Sequence, residues 1–175
     1  DAQAGLFYRD RRFVPLRTLH DAPVLWSRGN GWVIAGIPLI LEHLPADHPG
    51  RPRYLDLFRK MARALKPVQG KDGLWRTSLL DADQFPEPDT SGSAFFCYAL
   101  AWGVNRGHLD ADEYLPVVSR AWNGLASCVE PDGKLGWVQR INDRPGPVAR
   151  SDTHEYGAGA FLLAASEMMR LETRR

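Results

Sequence analysis

The sequence has few of the features that point to metal, redox or membrane chemistry. It contains two cysteines in 175 residues, too few for a disulfide framework, and Cys97 and Cys128 both fall in apolar helical patterns typical of buried free thiols. The longest apolar run, 32–41, is about half of the length that a membrane span requires. An H-E-x-x-H motif, a phosphate-binding glycine loop and a G-x-S-x-G elbow are all missing. We therefore expect no metal, no cofactor and no membrane partner.

An excess of charge of either sign is also missing. Lys and Arg number 22 against 21 Asp and Glu, which leaves a net charge of +1, so nucleic acid is not expected as a partner. The cluster Arg9, Arg11 and Arg12 is expected to lie in a solvated loop. The chain opens on Asp1, so a missing signal peptide leaves both a cytoplasmic and a periplasmic location open. Length and a 44% apolar composition predict one domain over 1–175.

An internal repeat organises the chain. The apolar helical pattern that begins at Tyr54 returns at Tyr114, 60 residues later, with the spacing of one helical face. Each pattern is followed at the same distance by an Asp-Gly turn, at 72–73 and 132–133, and then by a short extended segment that contains a tryptophan, 74–80 and 135–141. The repeat therefore predicts helical hairpins that each present a long loop on the same rim.

Periodicity predicts five helices, over 32–44, 53–66, 92–105, 111–129 and 157–171. Pro38 predicts a kink or a late start in the first of them. Thr90 or Ser91 is expected to cap the third helix, and Asp110 with Glu113 to begin the fourth. Stacked hairpins of this kind predict an all-α toroid or α/α barrel, with short β-segments in the rim loops and the site at the loop-bearing end.

The run Trp26–Trp32, which reads WSRGNGW, is the strongest functional signal. It places the guanidinium of Arg28 between two indoles, in what is expected to be a glycine-rich turn before the first helix. Flat apolar faces around a forked cation suit a ring-shaped ligand that carries a carboxylate, such as a uronic acid. The alternative is structural, with Trp32 in the core and Arg28 paired with a buried carboxylate.

Together with this run, the stretches DGLW…SLLD (72–81), DTSGSAFF (89–96) and YGAGAFLL (156–163) resemble the C-terminal half of glycoside hydrolase families 105 and 88. These are the unsaturated rhamnogalacturonyl and unsaturated glucuronyl hydrolases. The resemblance implies a six-hairpin (α/α)6 barrel of which this chain would supply about half. It also implies hydration of the 4,5 double bond in a terminal unsaturated uronic acid that a polysaccharide lyase has produced.

The resemblance also implies roles for particular residues. Trp26, Arg28 and Trp32, with Asn30 of the same motif, would line the sugar pocket, and Arg28 would meet the carboxylate or a neighbouring oxygen. Arg9 stands where many family members have histidine, which suggests a second anion contact. His154 and Tyr156 lie at the corresponding point of the next repeat unit and could line the same pocket.

The acid that this reaction needs has no counterpart in the sequence, because the aspartate that family members use would lie upstream of Asp1. The local acids Asp81, Asp83, Glu87 and Asp89 are expected to be solvated groups near a helix N-terminus. A non-catalytic carbohydrate-binding module and a truncated fragment therefore remain alternatives to the hydrolase. A half-barrel would expose apolar helix faces, with candidates Trp32, Ile34, Ile37 and Leu41, and would pair with itself or with its missing half.

Overall fold

A computed structural model describes residues 1–173 as five α-helices joined by loops, so the predicted all-α class is confirmed. Residues 174 and 175, the end of the predicted domain, lie outside the described residues. Three short 3-10 turns lie in the loops. The helices are α1 (Ser27–His43), α2 (Arg51–Leu65), α3 (Thr90–Asn105), α4 (Ala111–Ser127) and α5 (Glu155–Glu172).

Helix α3 is the centre of the molecule. All but one of its residues are buried, and it packs against α1 on one side, α5 on the other and α4 behind. We call α1, α3 and α5 the inner row. Helices α2 and α4 are amphipathic and lie outside it, and their buried residues include Phe58 and Val118. The alternation of inner and outer helices is the hairpin arrangement that the repeat predicts.

Helix α1 begins at Ser27, five residues earlier than predicted, so WSRGNGW is not a turn and Pro38 does not delay the helix. The two glycines are needed for close packing. A Cβ on Gly29 would lie 2.9 Å from the indole of Trp26, and one on Gly31 would lie 3.0 Å from the Cβ of Phe95. Their role is to let a helix lie close to its neighbours, which a local sequence pattern does not distinguish from a flexible turn.

The two repeat units share their turn geometry. Gly73 and Gly133 both adopt left-handed backbone conformations, with φ of +85° and +83°. The segments that follow form no strand within residues 1–173, only isolated bridges such as Trp26 with Ser78 and Val129 with Leu135. The segments are therefore not strands, contrary to the prediction of β-segments. One of them bonds to the start of α3 instead, where Trp137 O accepts from Thr90 N at 2.9 Å.

Of the two helix caps predicted from the sequence, one is correct and one is wrong. The Asp110 carboxylate accepts from the backbone N–H of Glu113 at 3.0 Å and caps α4 as expected. Helix α3 is capped by Asp89, not by Thr90 or Ser91, and its carboxylate accepts from the backbone N–H groups of Ser91 and Gly92. Asp89, Thr90 and Ser91 are all buried.

Only part of the predicted apolar surface is exposed. Trp32 is 53% exposed, as expected. The prediction of exposure is wrong for Ile34, Ile37 and Leu41, which are buried in the core. The exposed face of α1 continues from Trp32 through Leu39 and Ile40, and α5 exposes Leu162 and Met169. Both cysteines are buried free thiols, as expected. Among the described helices, none has the length and apolar character to cross a bilayer.

Candidate functional site

A cleft of about 720 Å³ opens at the rim where the N-terminal segment, the start of α1 and the loop before α5 meet. Its walls combine aromatic, cationic and polar side chains from segments far apart in the sequence. The lining includes Phe7, Tyr8, Arg9, Trp26, Arg28, Gly29, Trp32, Val33, Ile141, Asn142, His154, Glu155 and Tyr156. Six of the seven residues predicted for the site therefore meet in one cleft, and their binding roles remain predictions.

Asn30 is the exception, because it is buried beside the cleft and does not line it. Its side-chain oxygen accepts from Phe7 N at 2.8 Å, and its amide nitrogen donates to Phe7 O at 2.9 Å and to Trp26 O at 3.0 Å. Asn30 thus joins the N-terminal segment to α1, because its side chain bonds to both main-chain polar groups of Phe7. Its structural effect is to hold Phe7 and the following residues against the cleft.

Arg28 forms the floor of the cleft and is 3% exposed. Its guanidinium carbon lies 4.6 Å from the ring centroid of Trp26 and 4.6 Å from that of Tyr156, so the cation lies between an indole and a phenol. Nη1 donates to Gln139 O at 2.6 Å and Nη2 to Arg140 O at 3.0 Å. Burial lowers the pKa of Arg28, yet a guanidinium stays charged in proteins. No carboxylate within residues 1–173 forms an ion pair with it.

The two tryptophans of the motif have different environments. Trp26 is 7% exposed, with Arg28 over its ring and Gly29 against its edge, and its Nε1 donates to the side chain of Gln139 at 2.7 Å. Trp32 packs against Phe95 with ring centroids 4.3 Å apart and keeps about half of its surface exposed. Trp32 is therefore the indole with a face available for a sugar ring, and Trp26 supports Arg28.

Gln139 is the residue that sequence reasoning missed. It is 1% exposed, and its main-chain oxygen accepts from both Arg28 and the hydroxyl of Tyr156. Its side chain accepts from Trp26 and donates to Arg144 O at 3.1 Å. One residue therefore fixes three side chains of the cleft. The only signal in the sequence was its place in the second extended segment, 135–141.

His154 and Tyr156 line the cleft from the start of α5. Their rings are stacked with centroids 4.2 Å apart. Nδ1 of His154 lies 2.6 Å from Glu155 Oε2, but this buried nitrogen has no hydrogen bond of acceptable geometry within the described residues. Burial raises the pKa of Tyr156, so its hydroxyl stays a proton donor.

Comparison with known proteins shows the family of this chain. The family model described as Glycosyl Hydrolase Family 88 matches residues 1–172. The chain belongs to glycosyl hydrolase family 88. A curated relative from Formosa agariphila, an unsaturated 3S-rhamnoglycuronyl hydrolase, is 46% identical over 98% of this chain and 47% of its own length.

Two solved structures show the same fold as this family 88 chain. A family 88 glycosyl hydrolase from Bacteroides vulgatus is 39% identical, with a TM-score of 0.93 over 97% of this chain and 51% of its own. A protein described as a polysaccharide lyase is 44% identical, also with a TM-score of 0.93, over 99% of this chain and 51% of its own. The fold is that of the (α/α)6 barrels, and the chain spans about half the length of the relatives it matches.

Two of the local acids of this family 88 chain are buried and do not line the cleft, although Asp89 is joined to Arg28 through the hydroxyl of Ser91. Asp89 is fully buried and also accepts from the hydroxyls of Ser27 and Ser91. The Asp81 carboxylate lies 2.7 Å from His20 Nδ1, and hydrogen bonding from Thr18 and His20 lowers its pKa to about 2. The prediction of solvated acids is wrong for these two residues, because the loops close over them.

Glu155 is the one carboxylate that lines the cleft within residues 1–173. Its side chain is 86% exposed, whereas a general acid that protonates a carbon needs a desolvated carboxyl group. Among the described residues, no group of three or more His, Cys, Asp or Glu could hold a metal ion. The described part of the cleft therefore combines aromatic and cationic side chains with a single, exposed carboxylate.

Proposed function

We propose that this protein is a hydrolase of unsaturated uronyl oligosaccharides and that the cleft holds the terminal unsaturated uronic acid. The observation that carries the proposal is Arg28, a buried cation at the floor of an aromatic cleft. Its hydrogen bonds go to Ser91 and two backbone carbonyls. Asp89 acts on it only from a distance, since Ser91 lies between the two groups and donates to the carboxylate. The relative from Formosa agariphila, named for an unsaturated uronyl substrate, supports the same class.

In this proposal the sugar ring packs on the exposed face of Trp32 and directs its carboxylate towards Arg28. Arg9, whose side chain is 40% exposed at the opposite wall, supplies a second cation although it is paired with Asp10 at 2.7 Å. This differs from the arrangement expected from the sequence, in which both indoles stack on the ring. Trp26 is already covered by Arg28, so one indole remains for the ligand.

The reaction requires an acid that protonates the double bond, after which water adds and the resulting hemiketal opens to expel the rest of the sugar. The aspartate implied by the family resemblance is not among the described residues that line the cleft. The chain by itself could then act as a carbohydrate-binding module. This second candidate is favoured by the absence of any desolvated carboxylate from the cleft within residues 1–173.

One assay separates these functions. The protein is incubated with an unsaturated disaccharide while the ultraviolet absorbance of the double bond is followed. A hydrolase of this class lowers the absorbance, whereas a polysaccharide lyase acting on an uncleaved polymer raises it. Binding without any change of absorbance, lost in Arg28→Ala and kept in Arg12→Ala, would support the module and contradict catalysis by this chain.

We also propose that the exposed faces of α1 and α5 pack against further helices. Leu39 and Ile40 on α1, and Leu162 and Met169 on α5, are each more than 40% exposed, and contiguous exposed apolar surface is typical of interaction sites. The length of the relatives supports the other half of a barrel, and a second copy of this chain is the alternative. A solution molar mass of a monomer at all concentrations would contradict the second copy.

A further inference from the structure

The cleft contains a cation and an imidazole, the two groups that an elimination from a uronic acid requires. Hydration needs a desolvated carboxyl group that protonates carbon, and Glu155, the one carboxylate that lines the cleft within residues 1–173, is 86% exposed. Elimination instead needs a cation that stabilises the charge developing on the uronate carboxylate and a base at the neighbouring carbon. Arg28 and His154, which both line the cleft, are groups of these two kinds.

His154 has the properties of a base that faces a ligand. Its side chain is 24% exposed, and its buried Nδ1 lies 2.6 Å from Glu155 Oε2. A negative charge at this distance favours the tautomer with the proton on Nδ1, which leaves the lone pair on Nε2. Within residues 1–173 no hydrogen bond or ion pair engages Nε2. This nitrogen is therefore free to take a proton from a ligand in the cleft.

Tyr156 joins the two groups and is not itself the base. Its ring centroid lies 4.6 Å from the guanidinium carbon of Arg28 and 4.2 Å from the imidazole centroid of His154, so cation and imidazole are at most one aromatic ring apart. Its hydroxyl donates to Gln139 O, and burial raises its pKa, so it keeps its proton. In a uronic acid the carboxylate carbon and the C5 hydrogen are two bonds apart. One sugar ring can therefore meet both Arg28 and His154.

We propose that the cleft also catalyses the elimination that forms the 4,5 double bond, with a saturated uronic acid that carries a sugar at O4 as substrate. The proposal rests on the proposed function for the position of the uronate carboxylate at Arg28. His154 Nε2 takes the proton from C5, the electron pair of the C5–H bond forms the C4=C5 double bond, and the C4–O4 bond breaks. The imidazolium then returns the proton to O4. The departing sugar leaves with a hydroxyl group, and neither water nor an oxidant is consumed.

This route also determines which uronic acid can react. Because one imidazole both takes and returns the proton, the C5 hydrogen and O4 must lie on the same face of the sugar ring. They do so in D-glucuronic acid, whereas in D-galacturonic acid they lie on opposite faces. The cleft volume of about 720 Å³ is within the range of ligand pockets, roughly 300–1,000 Å³, which suits a uronic acid with a substituent.

The test uses the full chain and two saturated substrates, the methyl glycosides of glucuronic acid and of galacturonic acid, each with glucose at O4. Ultraviolet absorbance follows the double bond, and the release of glucose is measured as well, so that later hydration of the product does not hide the elimination. The wild type should form the double bond and release glucose with the glucuronide only. His154→Ala should lower this rate about 100-fold or more, the usual contribution of a general base. Added imidazole should restore part of the rate, which a merely structural role does not predict.

His48→Ala is the matched control, because His48 follows the end of α1 and does not line the cleft. It should keep the wild-type rate. A wild type that acts on or binds an unsaturated disaccharide but forms no double bond from either saturated substrate overturns the elimination alone. A preference for the galacturonide, or a wild-type rate in His154→Ala, overturns the role of His154.

The two functions have separate outcomes. A wild type that forms the double bond but leaves an unsaturated disaccharide unchanged supports the elimination and contradicts the hydrolase. A wild type that binds none of these sugars in calorimetric titration overturns the proposed function and the elimination with it.

Discussion

Replacing Gln139 by leucine should disturb the cleft without touching a residue that faces the ligand. The substitution keeps the side-chain size but removes the acceptor that lies 2.7 Å from Trp26 Nε1. A buried N–H left without a partner costs about 1–3 kcal/mol. The Arg144 oxygen also loses its donor, but Arg144 is exposed and water can replace that bond. We therefore expect the free energy of unfolding in urea to fall by about 1–3 kcal/mol.

The same substitution should weaken ligand binding because Trp26 supports Arg28 from below. An indole that shifts to find another acceptor moves the guanidinium that stacks on it at 4.6 Å. We expect the Kd for an unsaturated disaccharide to rise about tenfold, or about 1.4 kcal/mol. Titration calorimetry measures the Kd, and the indole N–H resonance of Trp26 in an NMR spectrum reports directly on the lost hydrogen bond.

Gln69→Leu is a matched control for this prediction. The Gln69 amide donates to Gly73 O at 2.9 Å and to Val117 O at 3.0 Å, and its oxygen accepts from Arg120 at 2.7 Å. The variant should lose stability for the same reason, yet it should keep the wild-type Kd because Gln69 does not line the cleft. An unchanged Kd in Gln139→Leu, or an equal loss of affinity in Gln69→Leu, would refute the positioning role of Gln139.

Three further predictions concern the floor of the cleft and the loops around it. Arg28→Lys should raise the Kd for the disaccharide at least about tenfold and lower the free energy of unfolding by about 2 kcal/mol. The reason is that an ammonium lacks the forked donors that reach two carbonyls. Calorimetry that shows wild-type affinity would contradict this prediction. Asp89→Asn should lower stability in urea by about 1–3 kcal/mol with little change in Kd, because the carboxylate accepts from two backbone N–H groups and two serine hydroxyls; a stable variant with lost affinity is the opposite result. The hydrogen bond that His20 donates to Asp81 raises the pKa of His20, and the pKa of Asp81 is lowered to about 2. Docking of the His20 loop should therefore be strongest between about pH 4 and 6.5, the pKa values of the two groups in the unfolded chain. It should weaken as pH rises through the raised pKa of His20, and an NMR titration in which Asp81→Asn leaves that pKa unchanged would contradict the pairing.

Local periodicity was sufficient for the helices that pack with one face. The predicted ranges 53–66 and 111–129 differ by at most two residues from α2 and α4, because an amphipathic pattern reports directly which face is buried. The start of α1 was wrong because it depends on Gly31 meeting Phe95, a contact between residues distant in the chain. A glycine that permits close packing and a glycine that permits a turn look the same in sequence.

The site was predictable as a set of side chains but not as an arrangement. The motif names Trp26, Arg28 and Trp32, which line one cleft. The expectation that both indoles stack on the ligand stays a prediction, and Trp26 is covered by Arg28 whereas Trp32 keeps an exposed face. The guanidinium that covers Trp26 also contacts Tyr156, a residue of α5. No spacing within a seven-residue run can indicate a contact with a residue that lies more than a hundred positions away.

Arg28 shows why the cleft should bind anions without rearrangement. Its guanidinium is already held by the carbonyls of Gln139 and Arg140 and stacked between two rings, so little side-chain entropy remains to be lost when a carboxylate arrives. The contacts from Trp26 to Gln139 and from Arg28 to Arg140 each join residues more than 110 positions apart. They connect the start of α1 with the loop before α5, and α3 packs against both of these helices. The orientation of the cation therefore depends on the packing of the whole inner row, and substitutions that loosen α3 should weaken binding even where they leave every cleft residue in place.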